Sequence, residues 1–213
     1  MIHEILPVGW LQCNCSILGD EASGEAIVID PGDEIDRIVE VLQRHNLRVK
    51  YIVITHGHID HIGGAKLLKE RTGAPVYMNE QDFALYGRLE QQAMMIGIPT
   101  PERTDIDVTL RDGDKIECGG IRADVMHTPG HTQGSSCLLL HGMADPTLIA
   151  GDTLFRDSIG RTDLPGGNFH QIMQSLQSKL MALDDAVIVV PGHGELTTIG
   201  REKEWNPFLQ QLR

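Results

Sequence analysis

The sequence predicts an α/β fold in a single domain over residues 1–213, with two sheets stacked and helices outside. Three observations predict it. Short apolar runs bounded by Gly, Asp and Pro occur in two successive sets. Segments with apolar residues at helical spacing separate or follow them. No tandem repeat, low-complexity stretch or linker divides the chain, and 213 residues suffice for one sizeable core.

The first set begins with strands over 13–18 and 25–29. Asp33 is placed to cap a helix running to about Asn46, whose Ile35, Ile38, Val39 and Leu42 fit a 3.6-residue period. A fully apolar strand follows at 51–54, then a helix starting near Asp60 that carries Ile62, Ala65, Leu67 and Leu68. Residues 80–111 read as a helix followed by a loop at Pro99 and Pro101, a candidate cover over a site, with Tyr86, Arg88 and Met94 as candidates to reach a substrate. The second set has strands at 121–125, 136–140 and 147–150, a helix over 168–183 and a strand at 186–190. A final helix over 200–213 is interrupted at Pro207.

Composition narrows the function. The chain is 41% hydrophobic and 23% charged, as soluble proteins are. It has no apolar run long enough for a membrane span, and no secretory leader is expected. A net charge of −12 argues against nucleic acid as partner. Cys13, Cys15, Cys118 and Cys137 form no CxxC pair or disulfide framework. Cys13 and Cys15 read as small buried side chains on one side of a strand, and the setting as a reducing cytoplasm.

The chemistry concentrates in Thr55-His56-Gly57-His58-Ile59-Asp60-His61, a loop between an apolar strand and a helix. Imidazole and carboxylate are ligands for zinc and similar ions. A solvated turn or a capped helix start explains the cluster less well, because Gly57 interrupts helical spacing. His131, Asp152 and His193 each stand in a Gly-containing turn at a strand end. Singly, each suits a turn or a cap; their recurrence makes them candidate ligands. His3, His45, His127, His141 and His170 read as structural or surface residues, with His170 notable for following a Gly-rich loop.

The order HxHxDH, His, Asp, His resembles the metallo-β-lactamase superfamily from Asn14 to His193. The resemblance implies a four-layer αββα sandwich with the site on one edge. It implies that His56, His58 and His131 hold one divalent metal ion, that Asp60, His61 and His193 hold a second, and that Asp152 bridges both. Zinc is the first expectation, with iron or manganese as alternatives. Two such ions share a water as hydroxide near neutral pH, and Asp60 is the expected catalytic residue that orients it. His61 resembles the thioesterase and nuclease branches rather than β-lactamases.

The segment from Asp152 to Asp163 resembles the glyoxalase II family, and Arg161 falls where that family has a basic residue for a substrate carboxylate. An ion pair of Arg161 with Asp163 or Asp157 is the alternative. Asp163 stands where larger members have an aromatic residue, and the separate C-terminal helical domain that completes their glutathione site is not expected here. The 191–198 and 206–208 segments resemble a shorter bacterial branch of glyoxalase II-like proteins. The expected reaction is hydrolysis of S-lactoylglutathione to lactate and glutathione. The alternatives are a mononuclear iron persulfide dioxygenase, which the Gly160-Arg161-Thr162-Asp163 stretch also resembles, and a non-catalytic metal-binding or interaction protein. The expected partner is a small glutathione thioester or a related one, and the expected state is a monomer.

Overall fold

The computed structural model describes residues 1–212. Ile2–Val8 (β1) and Cys13–Asp20 (β2) form an antiparallel hairpin, and Glu25–Ile29 (β3) pairs with β2. Arg48–Val53 (β4), Val76–Asn79 (β5) and Val108–Leu110 (β6) continue the sheet in parallel, in the order β1-β2-β3-β4-β5-β6. Every residue of β2 is buried, the polar Asn14, Ser16 and Asp20 included.

The second sheet contains Lys115–Cys118 (β7), Ile121–His127 (β8), Ser136–His141 (β9) and Thr147–Gly151 (β10). Leu154–Phe155 (β11) and Ser158–Ile159 (β12) make a separate small hairpin. Ile188–Pro191 (β13) pairs in parallel with β10, and Thr197–Thr198 (β14) closes the order β14-β13-β10-β9-β8-β7. Leu18, Ile29 and Val53 of the first sheet pack against Val125, Leu138 and Ile149 of the second.

Helices cover both outer faces. Ile35–Arg44 (α1) turns Ile38 and Leu42 onto the first sheet, with Leu68 from Ala65–Thr72 (α3). Phe169–Ser175 (α6) and Ile199–Trp205 (α7) cover the second with Ile172 and Ile199. The result is the four-layer αββα sandwich.

Several local expectations are corrected. Asp33 is not the cap of α1: Glu34 holds that position with φ 51°, while the Asp33 carboxylate accepts from the Glu34 N–H. The helix expected from Asp60 is split into Ile59–Ile62 (α2) and α3. The break lies at Gly63-Gly64, where Gly64 N–H donates to the Pro31 carbonyl at 2.9 Å. A Cβ on Gly64 would stand 2.4 Å from that oxygen, so this crossing requires glycine. Leu67 does not join the core and is 43% exposed.

Residues 80–111 contain Phe83–Tyr86 (α4) and Leu89–Ile96 (α5) before the proline-bearing loop. Tyr86 is spent on the fold, because its hydroxyl accepts from Thr104 N–H and donates to Thr104 C=O. The helix expected over 168–183 is α6 followed by one wider turn, Leu176–Leu180. The tail breaks at Pro207, as expected. Among the described residues, no helix is long and apolar enough to cross a membrane.

All four cysteines are free and buried, and burial pushes the Cys13 thiol up to about 12. The native protein is expected to show no rapidly reacting thiol toward an aromatic disulfide reagent at pH 8, and four after unfolding. A native thiol titre of one or more would contradict that packing.

Candidate metal centre

The histidine loop leaves β4 at the edge of the sandwich and is clamped from three directions. Asp30, just beyond β3, accepts from Thr55 N–H at 2.7 Å, Thr55 Oγ1–H at 2.6 Å and His61 Nδ1–H at 2.9 Å. Asp82 accepts from Gly57 N–H, Thr132 Oγ1–H and Gly134 N–H, and so ties this loop to the one carrying His131. Gln92 on α5 accepts from Ile59 N–H and donates to Gly57 C=O. Asn14 on β2 donates to Pro191 and Gly194 carbonyls on either side of His193.

These contacts set which ring nitrogens face inward. His131 Nδ1–H donates to the Arg161 carbonyl and His193 Nδ1–H to the Leu11 carbonyl. His61 Nδ1–H donates to Asp30, and His56 Nδ1–H to the Thr55 hydroxyl, whose own proton goes to Asp30. Four Nε2 lone pairs are thereby turned inward. His58 presents Nδ1 to the same space, 3.1 Å from His56 Nε2 and 2.9 Å from His131 Nε2. His61 Nε2 and His193 Nε2 stand 3.2 Å apart. Lone pairs at such distances repel unless a cation lies between them.

The carboxylates complete two groups. Asp60 Oδ2 lies 3.0 Å from His193 Nε2 and 3.6 Å from His61 Nε2. Asp152 faces both groups, with Oδ2 3.5 Å from His131 Nε2 and Oδ1 3.4 Å from His61 Nε2. Asp152 Oδ1 is buried without a hydrogen-bond partner. An orphaned buried carboxylate oxygen is costly alone and ordinary as a metal ligand. The donor set therefore fits divalent ions: His56, His58 and His131 at one end, Asp60, His61 and His193 at the other.

The charge balance agrees. Burial, followed by the neighbouring imidazoles, pushes His56 well below its ordinary pKa, and burial brings His58 down to about 4. At the other end burial opposes charge, yet the carboxylates of Asp60, Asp152 and Asp30 hold His61 well above its ordinary value. Burial likewise opposes ionisation of Asp60, but His61 and His193 keep it below the usual carboxylate range. One end offers neutral ligands, and the other attracts positive charge.

The remaining residues divide clearly. The Arg161 guanidinium turns to Asp163, with Nε to Oδ1 at 3.0 Å and Nη2 to Oδ2 at 2.8 Å. This is the ion pair given as its alternative; its backbone carbonyl, not its side chain, touches the centre. His3, His45 and His141 pair with Ser16, Glu4 and Asp124. His127 ends β8 beside the Gln133 carbonyl, and His170 is exposed on α6. The sequence reading missed Asp30, Asp82, Gln92 and Asn14. Asp30-Pro31-Gly32 carries the same signal as Asp152, an Asp at the end of an apolar strand; Asp82 and Gln92 carry none. Cys13 is buried as expected, but also touches the centre, with Sγ 3.5 Å from His61 Nδ1.

Against this geometry, a profile of the metallo-beta-lactamase superfamily matches residues 8–193. The chain belongs to the metallo-β-lactamase superfamily. Within it, the chain is 38% identical to the hydroxyacylglutathione hydrolase GloC of Haemophilus influenzae, over 97% of each chain. Among solved structures it resembles the B3 metallo-β-lactamase BLEG-1, with TM-score 0.90, 34% identity and 98% and 99% of the two chains covered. It also resembles TTHA1623 in a di-iron-bound form, with TM-score 0.86, 34% identity and 97% and 100% covered. The superfamily fold thus brings strand-end residues from both sheets to one edge.

Gly192 is part of that convergence. A Cβ there would stand 2.0 Å from Asp152 Oδ1 and 2.8 Å from His61 Cε1. Gly192→Ala is expected to lower bound metal by at least half while far-ultraviolet circular dichroism stays unchanged. Full metal occupancy in the variant would show that the crowding is relieved elsewhere.

Proposed function

We propose that this protein is a two-metal thioester hydrolase acting on S-lactoylglutathione, releasing lactate and glutathione. The observation that carries the reading is the Asp152 carboxylate, which faces both ligand groups and leaves Oδ1 without a partner. His56, His58 and His131 would hold one ion, Asp60, His61 and His193 the other, and Asp152 both. The likeness to GloC supports the glutathione thioester. Zinc is the proposed metal, and the di-iron form of TTHA1623 supports iron as its competitor.

When bound, the ions supply a nucleophilic oxygen at neutral pH and polarise the thioester carbonyl. The chain does the rest. Asp60, kept ionised by His61 and His193, would orient the attacking oxygen. The Nδ1–H bonds of His131, His193 and His61 lock their rings, so little reorganisation is needed. The leaving thiolate has a pKa of about 8.5 and needs no strong general acid. A reducing cytoplasm suits the four unpaired cysteines.

Metal-loaded wild type is expected to hydrolyse S-lactoylglutathione, followed by loss of thioester absorbance, while Asp60→Ala falls by about 10³-fold. Activity needing iron and oxygen, with a persulfide as substrate, would replace this reading. Metal removal has a second readout. An ion that binds only the folded chain stabilises it by about 2.7 kcal/mol at a hundredfold excess over its Kd. Chelation is therefore expected to lower Tm by about 5–10 °C in a 150–250-residue domain. An unchanged Tm in calorimetry would argue against tight metal binding.

A further inference from the structure

A cavity of about 670 Å³ opens beside the centre, with Ile59 and Asp60 at its walls. It runs between the β1–β2 turn, the segment after β3, the α2–α3 pair and the loop after α5. Trp10, Leu11, Leu67, Ile98 and Pro99 supply apolar wall. Trp10 is 77% exposed and Leu67 43%, a large apolar area to leave in water beside a polar centre. The wall is also linked to a candidate ligand, because the Leu11 carbonyl receives His193 Nδ1–H.

The charges select among occupants. Asp33, Glu34, Asp36, Glu70 and Glu102 line the cavity against Lys66 alone, and Lys66 is tied to Glu102 and Glu70. Arg37 and Arg71, which pair with Glu34 and Asp36, do not line it. The two carboxylates of a glutathione moiety would meet repulsion here, whereas an uncharged chain would meet none. A three-carbon lactoyl group would leave most of this volume empty; pockets of about 300–1,000 Å³ hold much larger ligands.

We propose that this cavity is the acyl site, and that it takes an uncharged apolar acyl chain longer than lactoyl, with the thiol half of the substrate leaving away from it. The assignment rests on the thioester-hydrolase reading. Its closing experiment separates the two.

The probes are N-ethylamides of butanoic to octanoic acid, uncharged analogues in which a slowly cleaved amide replaces the thioester. Binding to the metal-loaded protein is read from Trp10 emission in a Trp205→Phe background, which leaves one indole. Kd is expected to fall about fourfold for each added methylene. Leu67→Asp and, separately, Ile98→Asp should flatten the series to less than twofold per methylene, with circular dichroism confirming the fold. A flat series in the parent protein, or a steep one preserved in both variants, overturns the assignment. S-Lactoylglutathione hydrolysis is measured on the same preparation. Hydrolysis with a flat series overturns the acyl site alone. A steep series without hydrolysis supports the cavity as an apolar-chain site and overturns S-lactoylglutathione as the substrate.

Discussion

Asp152→Ala is expected to reduce bound metal from two ions to one or none and to lower kcat by about 10³-fold, a loss of roughly 4 kcal/mol of transition-state stabilisation. Asp152 is the side chain that reaches both ligand groups, with Oδ1 toward His61 and His193 and Oδ2 toward His131. Removing it leaves each group with neutral imidazoles and, at one end, Asp60. The positive charge of two ions would then be poorly neutralised. Asp152→Asn keeps the shape but loses the charge, so it is expected to share most of the defect. Elemental analysis after gel filtration, beside initial rates, decides the matter. Two metals retained with more than a tenth of the activity would show that the carboxylate does not bridge.

Asp30→Ala is expected to cost about 3–5 kcal/mol of stability, even in chelator. Its carboxylate accepts three hydrogen bonds from Thr55 and His61, and all three residues are buried. The substitution strands a backbone N–H and an imidazole N–H away from water. For a domain of this size that loss lowers Tm by about 6–20 °C. It also frees the His61 ring to turn, and loss of such an outer partner weakens metal affinity by about 10–100-fold. Urea unfolding in chelator isolates the first effect, and metal titration of the folded variant the second. Asp30→Asn retains one acceptor oxygen and should fall between. Stability unchanged in chelator would mean that water satisfies these donors.

Legibility in the sequence followed the strength of local pattern. The HxHxDH loop, His131, Asp152 and His193 were readable because each stands where an apolar strand gives way to a turn. The long buried strands were readable as apolar runs bounded by turn residues, and α1 by its 3.6-residue period. β5, β6, β7, β11, β12 and β14 were not, since two to four residues carry too little pattern, and neither was β1, which is largely half-buried. The break at Gly63-Gly64 escaped because its cause, the Pro31 carbonyl, lies over thirty residues earlier in the chain. Arg161 shows the opposite limit: position suggested a substrate contact, while the guanidinium makes a two-bond pair with Asp163.

The sequence by itself determined the two-sheet architecture and the chemical types in the centre, because both are written in local order: hydrophobic period and polar residues at strand ends. Only the tertiary structure decided which nitrogen of each histidine faces inward and which apolar residues border a cavity. Those depend on partners such as Asp30 for His61, Leu11 for His193 and Arg161 C=O for His131, separated by 30 to 182 positions. Such partners meet only when the two sheets close, and no local pattern encodes a hydrogen bond that folding alone brings within reach.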